Sequence, residues 1–303
     1  MQNKTMISRK YFFIGAFIAS ALLFSFLVTL SDGKLHIIFC NVGQGDASYI
    51  RTPGNQDILV DGGPNDKVLA CLGKYMPFYD RTIDIVVLSH PQKDHMEGLL
   101  SVIERYTVKY FVIGAEENKS EGYEKLVSLL KKNKIPVRNL YSGEKIYLGD
   151  TSLDFLWPQK EWVTQNLKGM SEVASANSNV LGLETGRDVN DFSYYIHLSY
   201  GSFGALFTGD GDVKIQPEIL ERIDLPDIDV LKYPHHGSKY GALSQFLEKV
   251  KPELAVISVG KNPWGHPNDE TINMLNSMKI QIKRTDRDGD IELVSDGENY
   301  WIK

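Results

Sequence analysis

The feature that most constrains this chain is where its histidines and carboxylates stand. An apolar run ending at Leu88 is followed by Ser89-His90-Pro91-Gln92-Lys93-Asp94-His95. A second run closes in Thr208-Gly209-Asp210, and a third in Lys232-Tyr233-Pro234-His235-His236-Gly237-Ser238. Loops gather at strand ends, and a rigid scaffold uses them to present function. Imidazoles and carboxylates meeting at one such edge suit a zinc-like cation. Each segment alone has a plain reading: Asp94 as a helix N-cap beside solvated histidines, or His235-His236 as a surface turn. Three strand-end segments in series are not explained that way.

The rest of the chain supports an α/β fold. Strand-like runs occur at residues 35–40, 47–52, 57–60, 85–88 and 108–113, and again at 192–199, 204–207, 230–233, 254–259, 280–284 and 291–294. Helical periodicity covers 123–132, 216–223, 242–249 and 269–278. Alternation of this kind predicts helices packed on sheets. Residues 157–189 form a polar stretch rich in Ser, Asn and Gly, and loops of that length inside a domain are usually functional or disordered. His36 and His197 fall on strand patterns and read as packed structural residues.

At the N-terminus Lys4, Arg9 and Lys10 precede twenty uncharged residues, 11–30. The run is long enough to cross a bilayer once. A cleaved signal has a shorter apolar core and small residues at its cleavage site, so residues 1–33 read as a membrane anchor, with a signal peptide as the alternative. The basic flank places the N-terminus inside and the body, 34–303, on the extracytoplasmic face. From Lys34 onward 30 basic residues face 38 acidic ones, a formal charge of −8. General attraction to a polyanion is therefore excluded, and a nucleic acid would need a local basic patch or a metal. Lys232, Lys239 and Lys261 are the candidates for that patch. Cys40 and Cys71 have no metal-knuckle spacing. Cys40 lies in an apolar strand pattern and reads as a buried free thiol.

In this order, Ser89-His90-x-x-x-Asp94-His95, Thr208-Gly209-Asp210 and Lys232-x-Pro-His235-His236-Gly237-Ser238 resemble the metallo-β-lactamase superfamily. Asn41-Val-Gly43-Gln44-Gly45-Asp46, Asp61-Gly62-Gly63, Gly265-His266-Pro267 and Thr285-Asp286-x-x-Gly289 narrow the resemblance to the hydrolase domain of ComEC-type DNA-uptake proteins. It implies an αββα sandwich with one or two divalent ions, zinc or manganese, at one edge. It further implies that His90 binds one metal, that Asp94 and His95 bind the other, that Asp210 bridges them, and that His235 or His236 completes the second site. Asp94 would orient the attacking water, and His266 or the histidine of the pair that binds no metal would protonate the leaving group. Asn190 and Ser193 match the segment that replaces the superfamily's third-motif histidine. Asp46 borders the site.

Three departures bear on activity. Gln92 stands where the pattern has a metal-binding Asp or His, Asn41 replaces an Asp, and Glu97 replaces a Gly. The His90 side is thus poor in ligands. The expected function is hydrolysis of phosphodiesters, with single- or double-stranded DNA as the substrate the resemblance suggests. Because the chain has one apolar span, a separate channel protein would have to carry DNA across the membrane. The alternatives are wall-polymer phosphodiesters, amide or lactam hydrolysis, and a metal-poor binding module. Trp264 could stack on a base but reads as a packing residue.

Overall fold

The computed structural model describes residues 9, 11–20, 31–169 and 179–303. The chain divides into two compact units, Met1–Gly33 and Lys34–Lys303. In the first, residues 11–20 are helical, with Tyr11, Phe12, Phe13 and Phe17 exposed. The rest of the expected anchor, 21–30, lies outside the described residues. Among the described residues no helix is long and apolar enough to cross a membrane.

The body begins with six strands of one sheet: β1 (Leu35–Phe39), β2 (Ser48–Arg51), β3 (Asp57–Val60), β4 (Thr82–Val87), β5 (Thr107–Val112) and β6 (Val137–Arg138). The second sheet follows: β7 (Lys145–Leu148), β8 (Thr151–Trp157), β9 (Tyr195–Tyr200), β10 (Phe203–Phe207), β11 (Val230–Lys232), β12 (Leu254–Ile257) and β13 (Gln281–Arg284). The chain then returns to the first sheet with β14 (Ile291–Ser295) and β15 (Tyr300–Ile302). The orders are β15-β14-β1-β2-β3-β4-β5-β6 and β13-β12-β11-β10-β9-β8-β7.

Side chains alternate across each strand, and that alternation builds three cores. In the first sheet, Ile37, Phe39, Ile58, Val60, Ile85 and Val87 face Phe155, Ile196, Phe207 and Val256 of the second. Their neighbours Ile38, Tyr49, Leu59 and Val86 point outward, against helices α1 (Lys67–Tyr75), α2 (Lys93–Arg105) and α3 (Glu121–Lys132). On the far side Tyr195, Leu206, Leu231 and Ala255 pack against α4 (Lys160–Asn166), α5 (Gln216–Arg222), α6 (Ser244–Val250) and α7 (Asp269–Ser277). Four layers result, helix on sheet on sheet on helix, as the resemblance implies.

The free-thiol reading of Cys40 is corrected. Cys40 follows the end of β1 on the helix side, Cys71 lies on the inner face of α1, and the two form a disulfide across a Cα separation of 5.9 Å. The polar stretch also carries order: α4 lies within it, and Leu167 bridges Thr185. Residues 170–178 of that stretch lie outside the described residues.

Candidate metal centre

β3 and β4 run parallel in the first sheet, and β10, β11 and β12 run parallel in the second. Their C-terminal ends share one edge of the body, the edge where α/β sheets collect ligands. Asp61 follows β3, Ser89 and His90 follow β4, Asp210 follows β10, and His235 and His236 follow β11. The turn between β1 and β2 adds Asp46, and the first turn of α2 adds Asp94 and His95.

Ligand atoms of Asp94, His95, Asp210 and His236 lie within 4.8 Å of one another. His95 Nε2 is 3.2 Å from Asp210 Oδ1, while His236 Nε2 is 3.2 Å from Asp94 Oδ2 and 3.4 Å from Asp210 Oδ2. The other ring nitrogens are committed. His95 Nδ1 donates to Asp61 Oδ2 at 2.8 Å, and His236 Nδ1 donates to the Ser258 carbonyl at 3.0 Å. Both Nε2 atoms therefore face carboxylates, which only accept. Either a proton on each ring or a metal cation between the groups has to mediate. His95 Nε2 and Asp210 Oδ1 are buried without a hydrogen-bond partner, and two imidazoles with two carboxylates are a donor set for zinc or manganese. The residues fit a divalent ion.

Electrostatics point the same way. Burial disfavours charge on His95, yet Asp210 and Asp61 outweigh it and hold the ring's pKa well above its ordinary value. For His236, too, burial is outweighed, there by Asp210 and Asp46. Burial alone would raise Asp210, but His236 and His95 hold its carboxyl well below the usual range. The carboxylates are ionised and demand a positive partner.

A second ring of groups fixes the first, as the outer partners of metal ligands generally do. Asp61 sits at a left-handed φ of 60° and accepts from Ser89 N at 2.7 Å and from Ser89 Oγ at 2.8 Å. Asp46 Oδ1 lies 3.2 Å from His236 Nδ1, and Asp46 Oδ2 lies 2.6 Å from Lys232 Nζ. The Lys232 ammonium already supplies the cation that Asp46, Asp61 and His95 would otherwise attract. His235 and His236 both adopt left-handed backbone, φ 50° and 52°, a conformation that costs on the order of 1 kcal/mol per residue and persists where surroundings enforce it. Asp61, Ser89 and Ser258 carry these roles, although sequence reasoning did not single them out as site residues. The buried strand running into Asp61-Gly62-Gly63 was the available signal.

The remaining expected residues are placed as follows. His236, not His235, enters the cluster. His235 Nδ1 faces Asp212 Oδ2 at 3.2 Å, and its Nε2 stands 3.9 Å from Asp210 Oδ2. His266 lies beyond, its ring centroid 5.9 Å from that of His235, and burial with the two neighbouring histidines lowers its pKa to about 4. His90 is fully buried, its Nε2 has no hydrogen-bond partner, and burial together with His95 lowers its pKa to about 3. Gln92 turns to Asn190, its Nε2 donating to Asn190 Oδ1 at 2.5 Å. Ser193 Oγ accepts from Asp210 N at 3.2 Å and so fixes that residue. The Ser238 hydroxyl is used within its own loop, accepting from Tyr240 N at 3.2 Å. Lys232 is buried rather than part of a surface patch, whereas Lys239 and Lys261 are exposed. Trp264 does not pack: 65% of it is exposed.

Comparison with known proteins agrees with this architecture. Residues 40–261 match the metallo-beta-lactamase superfamily. ComE operon protein 3 of Bacillus subtilis (strain 168) is 24% identical over 297 residues, covering 89% of this chain and 34% of that protein. Recombination protein 2 of Haemophilus influenzae is 26% identical over 270 residues, covering 87% of this chain and 29% of that protein. Competence protein ComA of Neisseria gonorrhoeae is 26% identical, covering 86% and 32%. The chain thus spans about a third of the length of these relatives. Among solved structures, the metallo-beta-lactamase fold protein YhfI from Bacillus subtilis superposes with a TM-score of 0.51 at 12% identity, covering 89% of this chain and all of that one. The diiron β-hydroxylase CmlA from Streptomyces venezuelae gives 0.51 at 13%, covering 84% and 53%. Fold, strand-end site and matched residues together place this chain in the metallo-β-lactamase superfamily, with relatives among the ComEC-type competence proteins.

Proposed function

We propose that the chain is a metal-dependent phosphodiesterase, with DNA as its substrate, held on the extracytoplasmic face by its N-terminal segment. The observation that carries the reading is the convergence of Asp94, His95, Asp210 and His236, whose facing atoms include buried ones without hydrogen-bond partners. These four residues would hold the ion. A divalent ion bound there would lower the pKa of water enough to supply hydroxide as a nucleophile near neutral pH and would offset the charge developing on the phosphoryl oxygens.

The protein's own groups supply orientation and proton transfer. Asp61 and Ser258 aim the two imidazoles, and Asp94 would orient the attacking water. His235, oriented by Asp212, and His266 stand at the rim. His235, whose pKa Asp212 and Asp210 raise against burial, is the group that could deliver a proton to the leaving oxygen, whereas His266, with a pKa lowered to about 4, is neutral there. Asn190 engages the Gln92 amide nitrogen, and the neutral amide oxygen that remains is a weak metal ligand, which supports one ion rather than two.

The names of the competence relatives support DNA over wall-polymer phosphodiesters. A separate channel protein would then carry the strand. The uncharged run at 11–30 supports a single-pass anchor, and extraction of membranes with alkaline carbonate tests it: release of the chain would exclude the anchor. Gln92 also favours a second reading, a binding scaffold that has lost turnover.

The deciding experiment measures metal content of the full-length chain in detergent and its zinc- or manganese-dependent cleavage of bis-p-nitrophenyl phosphate, against Asp210→Ala. Metal bound and cleavage lost in the variant is the expected result. A metal-free, inert wild type would leave the scaffold reading.

A further inference from the structure

Trp264 is exposed over 65% of its surface, whereas Trp157 and Trp162 are buried. Leaving a large aromatic in water forgoes the stabilisation of burying it, and the loop that carries it is far from slack. The Asn262 side chain clamps it four times: its Nδ2 donates to the carbonyls of Gly260 and His266, both at 2.8 Å, and its Oδ1 accepts from the amides of Trp264 and His266, both at 3.0 Å. One end of the loop is packed on the turn that carries Asp46. Gly260 N donates to Gln44 Oε1 at 3.2 Å, and a Cβ on Gly260 would lie 2.4 Å from the Gly43 carbonyl carbon. The other end joins the metal centre, because the Trp264 ring lies 6.2 Å from His266 and His266 lies 5.9 Å from His235.

We infer that Trp264 is a base-stacking subsite, which holds an unpaired nucleobase beside the phosphodiester presented to the metal centre. The inference rests on the phosphodiesterase reading and deepens it. A body of formal charge −8 gains little affinity for a polyanion from charge. Stacking supplies affinity that does not depend on charge and accepts every base, since each has a π-face. Only an unpaired strand offers that face. Lys239 and Lys261, both exposed, flank the loop and its neighbour. Their charge suits a phosphate chain and opposes a quaternary ammonium head group, which an exposed indole could otherwise take up. Tyr240, 58% exposed with Lys239 Nζ 4.8 Å from its ring centroid, offers a further aromatic face on the adjoining loop.

The test uses the full-length chain in detergent and two fluorescent twelve-nucleotide strands, oligothymidine and its abasic counterpart. Binding is read by anisotropy in EDTA, and cleavage is read separately with manganese. Wild type is expected to bind oligothymidine about 5- to 100-fold more tightly than the abasic strand. Trp264→Ala should erase that difference, and Trp264→Phe should restore most of it. Equal binding of the two strands by wild type would overturn the inference, as would unchanged binding in Trp264→Ala or Trp264-dependent capture of phosphocholine in place of the oligonucleotide. Wild type that binds through Trp264 but cleaves nothing would remove the phosphodiesterase and leave the stacking site standing.

Discussion

Gln92 donates its side-chain amide to Asn190 Oδ1 across 2.5 Å, on the side of the centre where the buried His90 Nε2 has no hydrogen-bond partner. A neutral imidazole is a ready ligand, but the aspartates whose charge reaches it, Asp210, Asp94 and Asp46, are engaged with His95, His236 and Lys232, and without a carboxylate of its own it holds an ion weakly. The Gln92→Asp variant should supply that carboxylate. Metal per chain, measured by mass spectrometry after dialysis against manganese, should rise from about one toward two. Affinity for the added ion should increase at least about tenfold, the scale on which single partners tune metal sites. An unchanged stoichiometry would mean that His90 serves packing alone.

The Lys232–Asp46 pair makes a prediction about stability. Lys232 Nζ lies 2.6 Å from Asp46 Oδ2, and both residues are buried. Removing one partner strands a buried charge, which costs about 3–5 kcal/mol, whereas removing both can be nearly neutral. Lys232→Met should therefore lower the thermal midpoint strongly, and Lys232→Met with Asp46→Asn should recover most of the loss. Additive effects in the two variants would show that the pair is not coupled.

How far the sequence discloses this arrangement depends on which interactions decide each part. The motif-bearing strands were legible because uninterrupted apolar runs end in polar groups, and β4, β10 and β11 follow that pattern. β8 was missed despite its alternating burial, because Ser152 and Asp154 interrupt it and no motif follows. α1 is nine residues long and reveals itself only through the face it packs on β1. The same packing brings Cys71 to Cys40, a tertiary fact that no spacing encodes. The choice of His236 over His235 is made by the left-handed turn and the Ser258 carbonyl. Adjacent histidines in sequence carry no sign of it.

The disulfide closes a loop between residues 31 apart in sequence. Cross-links of that span typically contribute about 2–4 kcal/mol, chiefly by restricting the unfolded chain. Cys40→Ala with Cys71→Ala should lower stability by that amount in urea titrations. Metal stoichiometry should hold, because neither cysteine is among the groups that converge on the ion. Thiol titration of the unfolded wild type without reductant should find no free cysteine. Two reactive thiols would refute the bond.

Glu116 gives a pH dependence that metal does not enter. It is buried, its Oε1 lacks a hydrogen-bond partner, and burial lifts its pKa to about 8. An unfolded glutamate ionises near its ordinary value of 4.5. Between those two values the folded chain keeps a proton that the unfolded chain has lost, so stability is fully present below about pH 4.5 and falls as pH rises to about 8. At one pKa unit per 1.36 kcal/mol the loss is on the order of 5 kcal/mol. Glu116→Gln keeps the shape of the neutral acid and removes the ionisation. The variant's midpoint should match wild type near pH 5 and exceed it near pH 8.5, and calorimetry across that range checks the difference. Parallel curves for the two proteins would mean that Glu116 finds a partner for its charge, through water or a local rearrangement, and does not oppose folding at alkaline pH.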